Sequence, residues 1–189
     1  MIAAFKPLAR WIAGDYDIYR IFATDGGAPA RVQPKSAMRF EAVTVESIAA
    51  SADELIRLQQ SYAGEGSTAF ACQVDGRIVG VCFYWHGIRY HARNYWPLAV
   101  GQAKLVQIVT TPEMRGQGVA RGLIAHSTAC MLELGFARLL ARVWLTNAPS
   151  RAAFIAAGWR QIAVVVRINP LRRAQPMRIT FGERPTGHP

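Results

Sequence analysis

Apolar and polar positions change period several times along the chain. Residues 103–109 are an apolar, strand-like run. Residues 119–134 place Ala120, Leu123, Ile124, Ser127, Met131 and Leu134 on one helical stripe, with Gly135 at the helix-ending position. Residues 138–145 read as a strand, 149–157 as a short helix and 160–168 as a strand, with 176–181 able to pair with it. Upstream, residues 39–45 alternate like a strand and 46–62 are helical. Residues 67–74 and 77–85 are two strands around an Asp75-Gly76 hairpin turn. Residues 86–101 form a polar, aromatic loop. The unit 103–145 should be a right-handed crossover with parallel strands. The fold class is therefore α/β (α+β): a mixed sheet, helices on both faces and one central parallel strand-helix-strand unit.

The first 37 residues read differently. Ile2, Phe5, Leu8, Trp11, Ile12, Tyr16, Tyr19 and Phe22 have roughly helical spacing, weakened by Pro7 and Gly14. Residues 25–29 look like a connector. The expectation is an amphipathic arm and connector (1–37) outside a main domain (38–189). The arm would pack on the domain or form a dimer contact, or else meet a membrane surface or partner.

Composition narrows the class without deciding it. At 189 residues and 51% apolar content the chain suits a single core. No apolar run is long enough to span a bilayer and no secretory segment is evident, so a cytoplasmic location is expected. Cys72, Cys82 and Cys130 are too widely spaced for a zinc ribbon and read as reduced thiols; no metal is expected. The net charge of +10 favours anions. No basic run interleaved with aromatics points to nucleic acid. An enzyme with polyanionic ligands and a membrane-attracted surface remain.

Arg115-Gly116-Gln117-Gly118-Val119-Ala120 carries the chemistry. It joins a strand to a helix. Two glycines permit a tight turn whose amides point inward as an anion nest, and the helix start adds free N–H groups and a positive dipole end. Val119-Ala120 do not complete a phosphate loop of the NTPase type, and Gly116, Gly118 and Gly122 are one residue too long for a dinucleotide fingerprint. The pattern R-x-x-G-x-A after a strand instead resembles the pyrophosphate loop of the GNAT acyl-CoA N-acyltransferases. Downstream, Asn147, Ser150, Phe154 and Gly158-Trp159 are similar to a second GNAT pattern. Asn147 can cap the short helix; in the family an Asn here also reaches coenzyme A. The order of elements over residues 38–181 resembles the same fold, whose sheet is mostly antiparallel.

The resemblance implies acetyl (or other acyl) transfer from coenzyme A to a primary amine by direct attack in a ternary complex. Acetyl-CoA would be held by Ile108, Val109, Thr110, Arg115, Gly116, Gln117, Gly118, Val119, Ala120, Asn147 and Phe154. The amide of Val109 is the expected carbonyl polariser. Phe154 stands where many relatives carry a Tyr acid, and Phe cannot donate a proton. Tyr62, Tyr84, Tyr90, Tyr95 or water could replace it, or the thiolate could leave unaided. Candidates for accepting the amine proton or orienting water are His86, His91, Glu41 and Gln107. His126 lies on the outward side of its helix. Arg89, Tyr90, Arg93, Tyr95 and Trp96 of the long loop suggest a small, anionic amine acceptor. Alternatives are a protein or peptide N-acetyltransferase and a non-catalytic acyl-CoA sensor. The chain would act as a monomer or homodimer.

Overall fold

A computed structural model describes residues 15–24, 38–93, 95–169 and 177–184. They form one eight-stranded sheet of order β2-β3-β4-β5-β6-β1-β7-β8. The strands are β1 (Asp15–Thr24), β2 (Arg39–Ala42), β3 (Ser67–Val74), β4 (Arg77–Trp85), β5 (Gln102–Thr110), β6 (Arg138–Trp144), β7 (Arg160–Asn169) and β8 (Met177–Gly182). Only β5 and β6 pair in parallel; the other neighbours are antiparallel. Helix α3 (Val119–Glu133) joins β5 to β6, and α4 (Ala148–Ala156) joins β6 to β7. Helices α1 (Val45–Ala49) and α2 (Glu54–Arg57) follow β2.

Three expectations meet the structure squarely. Asp75 and Gly76 both have positive φ, 49° and 74°, as a tight two-residue hairpin turn needs. β7 and β8 pair as an antiparallel final hairpin. α3 and α4 pack on one face, where Leu123, Met131, Phe154 and Trp159 meet Phe22, Phe70 and Tyr84. Ile48 and Ile56 cover Ala71, Val81 and Phe83 on the other.

Two expectations need correction. Residues 15–22, read as the end of a helical arm, form most of β1, inserted between β6 and β7 inside the sheet. Only its second half is an apolar run, residues 21–24 being buried, while Asp17 and Arg20 keep the first half polar. Tyr19, Ile21 and Ala23 enter one cluster and Phe22 the other, as strand alternation requires; the helical look comes from Tyr16, Tyr19 and Phe22 at three-residue spacing. Residues 1–14 and the connector at 25–29 lie outside the described residues. The single helix expected at 46–62 is instead two short helices and a helical turn (Gln60–Tyr62). Asp53 interrupts it by capping α2, its carboxylate accepting from Ile56 N at 3.1 Å.

The feature that shapes the site is a local failure of pairing. Against β4, β5 runs Phe83↔Gln107 and then Tyr84↔Leu105, leaving Val106 as a bulge. Against β6, the parallel rungs stop at Leu105↔Ala141, although both strands continue. The strands part where the bulge bends β5. Gly80, opposite Thr110, keeps the nearby approach of α3 open: a Cβ there would lie 2.7 Å from Val119 Cγ1.

Candidate active site

The gap between the parted strands is a cavity of about 170 Å³, walled by residues 105–108 of β5 and 142–144 of β6. Asn147, Ser150 and Phe154 close one end and Tyr95 contributes from the β4–β5 loop. It adjoins a larger cavity of about 800 Å³, sharing Ile108 and Ser150 with it. The larger cavity collects Val109, Thr110, Arg115, Gly116, Gly118, Val119 and Ala120, so the glycine loop and the end of β5 face one space.

The ladder decides which main-chain groups of β5 face the gap. Thr111 N donates to Val79 O at 2.9 Å, making that pair a hydrogen-bonded one. Antiparallel pairs alternate, so Val109, opposite Val81, also spends its N–H and C=O on β4. His86 N donating to Gly66 O gives the same parity from the other side of β4. The Val109 amide, expected to polarise the carbonyl, is therefore directed at β4. Ile108 and Thr110 carry their main-chain groups toward the gap, while the Val109 side chain packs with Ile48 and Ile56.

The loop before α3 holds free donors. Gly116 and Gly118 have φ of 75° and 92°, conformations that L side chains avoid, and a Cβ at either would meet nothing within 4 Å. Gly118 is the N-cap of α3 and supplies no side-chain cap. Among the described residues, the amides of Gly116, Gly118, Val119, Ala120 and Arg121 have no acceptor. Gln117 gives its side chain to Glu113 O at 3.0 Å and does not line the cavity. Asn147 caps α4, Oδ1 accepting from Ser150 N at 3.1 Å, and also faces the gap. Phe154 is buried, stacked on Phe22 with centroids 5.6 Å apart.

Most of the proposed proton carriers stand elsewhere. Glu41 is on the edge strand β2, accepting from the Gln73 side chain. His86 packs on Phe136 at the other end of β4, where burial pulls its pKa below the ordinary imidazole value. His91 is exposed beside Tyr90. Gln107 does line the gap, but its Nε2 donates to Gln59 Oε1 at 2.9 Å. His126, expected on the outside, is half-buried between Phe40 and Phe70. Of the alternative tyrosines only Tyr95 lines the gap. Tyr84 is sealed in the core against Ser127.

The long loop folds its Tyr90, Tyr95 and Trp96 onto the sheet and leaves Ile88, His91 and Val100 exposed. Arg89 staples it, donating to Ser61 O and Ala63 O at 2.8 Å and lying 4.9 Å from the Trp85 ring centroid. Tyr90 and Trp96 are buried around Lys104, whose amine donates to Tyr90 Oη and Trp96 O and sits 3.9 and 4.1 Å from the Tyr90 and Tyr95 ring centroids. Burial, then Arg178 and Arg142, push the Lys104 pKa down to about 5. Arg89, Tyr90 and Trp96 are therefore structural, and the Arg93 side chain lies outside the described residues. A further cavity of about 330 Å³ next to the gap was not foreseen; Asp17, Tyr19, Arg142, Trp144, Arg167 and Arg178 line it with Tyr95. Its signal in sequence is the alternation of Arg142 and Trp144 with buried Ala141 and Val143 along β6.

The model of the acetyltransferase (GNAT) family matches residues 37–159. The chain belongs to the GNAT family. Among solved structures it resembles a GNAT acetyltransferase from Novosphingobium aromaticivorans DSM 12444 (TM-score 0.57, 18% identity, 82% of this chain and 64% of that one). It also resembles a GCN5-related N-acetyltransferase from Sphaerobacter thermophilus (TM-score 0.58, 12% identity, 94% and 59%). A third is AAC(6')-Iy in complex with the bisubstrate analog CoA-S-monomethyl-acetylneamine (TM-score 0.50, 17% identity, 66% and 92%). The chain thus spans about three fifths of the length of the first two. No curated protein matches. Among the described residues no helix is long and apolar enough to cross a membrane, and no group of three His, Cys, Asp or Glu could hold a metal ion.

Proposed function

We propose that this GNAT protein transfers an acetyl group from acetyl-CoA to the primary amine of a small molecule by direct attack. The observation that carries the reading is a pair of adjoining cavities, sharing Ile108 and Ser150, that extend from the uncapped first turn of α3 to the unpaired edge of β5. The free amides of Gly116 and residues 118–121, with Arg115, suit a diphosphate. The exposed ladder groups of Thr110 and Ile108 suit an extended amide-bearing arm. The carbonyl oxygen would face the Ile108 N–H, a donor fixed before reaction. The acceptor nitrogen attacks the carbonyl carbon; the C–N bond forms as the C–S bond breaks, and sulfur leaves with the electron pair as thiolate. A thiol of pKa about 8.5 makes an acid dispensable. The ammonium proton passes to water. AAC(6')-Iy, seen with a bisubstrate analog, supports a ternary complex.

The lining of the gap contains neither carboxylate nor imidazole among the described residues, which favours an acyl-CoA sensor as the second reading. Thiol release from acetyl-CoA across a panel of amines separates the two. Amine-dependent release lost in Arg115→Glu supports transfer. Binding of acetyl-CoA with no release from any amine leaves the sensor.

A further inference from the structure

The cavity beside the gap carries more positive charge than its own residues can balance. Three arginines line it against one carboxylate, Asp17. Arg167 takes that carboxylate, its Nε donating to Asp17 Oδ2 at 2.8 Å. Arg142 and Arg178 have no carboxylate partner among the described residues. Arg178 also stands directly opposite Arg167 across the β7–β8 ladder, a like-charge pairing that costs stability. The same two guanidinia help to depress the buried amine of Lys104, so their fields converge beneath the Tyr95 ring.

Arg142 is also held in place. Its guanidinium lies 4.6 Å from the Tyr95 ring centroid, 4.8 Å from Trp144 and 5.5 Å from Tyr19. Contact with three rings restrains the guanidinium, whose N–H groups have no acceptor among the described residues and so suit a carboxylate or phosphate. Tyr95, Arg142 and Trp144 line both this cavity and the gap, so a small molecule anchored here lies next to the proposed acyl-transfer position.

We infer that the acceptor is an amine carrying a carboxylate or phosphate, its anionic group held by Arg142 and Arg178 and its amine directed past Tyr95 into the gap. The inference rests on the transferase reading for its amine and on the arginine cluster for its anion. It excludes polycationic amines as preferred acceptors, since each added ammonium meets the same uncompensated field.

The test uses the full chain loaded with coenzyme A and two probe pairs: phenylalanine against phenylalaninamide, and O-phosphoethanolamine against ethanolamine. Calorimetry should give at least about tenfold tighter binding of the acid in one pair or both, and the pair that discriminates more identifies the anion. Arg142→Gln combined with Arg178→Gln should bring the ratio to about one, with acetyl-CoA affinity unchanged as the sign of an intact fold. Turnover should favour the same acid even though the amide's amine is the more reactive. Equal or tighter binding of the uncharged partners, no binding of any probe, or a preference that survives the double variant overturns the inference. Binding of the acid without thiol release sinks the transferase reading and leaves the anion site standing.

Discussion

Leu105 and Ala141 form the last rung between the parallel strands β5 and β6, and the Val106 bulge on β5 begins at the next residue. The ladder groups of Ile108 and Thr110 are consequently turned toward open space. Replacing Ile108 by Pro removes one gap-facing amide and no ladder bond to β4. It should lower kcat about 10²- to 10³-fold with little loss of thermal stability. Val109→Pro deletes a bond to β4 and should lower the melting temperature. Steady-state rates and melting curves of the pair check the parity, and the reverse pattern would place the working amide at Val109.

Burial leaves Lys104 as a neutral amine, with its folded pKa near 5 against about 10.4 when unfolded. The unfolded chain binds the extra proton between those values, so stability rises with pH across that window. The slope approaches about 1.4 kcal/mol per pH unit. Lys104→Met should flatten the rise. Denaturant titrations of both proteins between pH 6 and 9 measure the difference, and parallel slopes would mean that the amine stays charged.

Among the described residues neither carboxylate nor imidazole lines the gap, so the proposed transfer has the acceptor arrive with its amine unprotonated. An alkyl ammonium has a pKa of about 10, so log kcat/KM should climb with unit slope from pH 7 toward that of the acceptor. A plateau near pH 7 would reveal a protein base.

Glu41 and His91 were attractive by residue type and do not line the gap. Glu41→Gln and His91→Gln should keep kcat within about twofold, the ordinary range for surface changes. A loss beyond about tenfold in either would return that side chain to the mechanism.

The sequence was most legible where main chain does the work. The glycine loop, the strand before it and the Asn147 cap all rest on local conformational requirements, and local requirements leave local patterns. The gap's other wall was not legible. Arg142, Trp144, Asp17, Arg167 and Arg178 come from three sequence-distant segments, joined only because β1 inserts between β6 and β7. That insertion was hidden because Tyr16, Tyr19 and Phe22, three residues apart, imitate a helical period while Asp17 and Arg20 break the apolar run. The β4–β5 loop misled because its Arg89 and Tyr90 look like binding groups, yet they serve neighbouring structure: Arg89 donates to Ser61 O and Ala63 O before β3, and Tyr90 accepts from Lys104.

The most direct measurement is calorimetric titration of acetyl-CoA into the full chain and into Arg115→Glu, an exposed position whose change spares the core. The account predicts saturable one-to-one binding, weakened at least about tenfold by the charge reversal. No heat from the unaltered chain, or equal affinity in both, would contradict it.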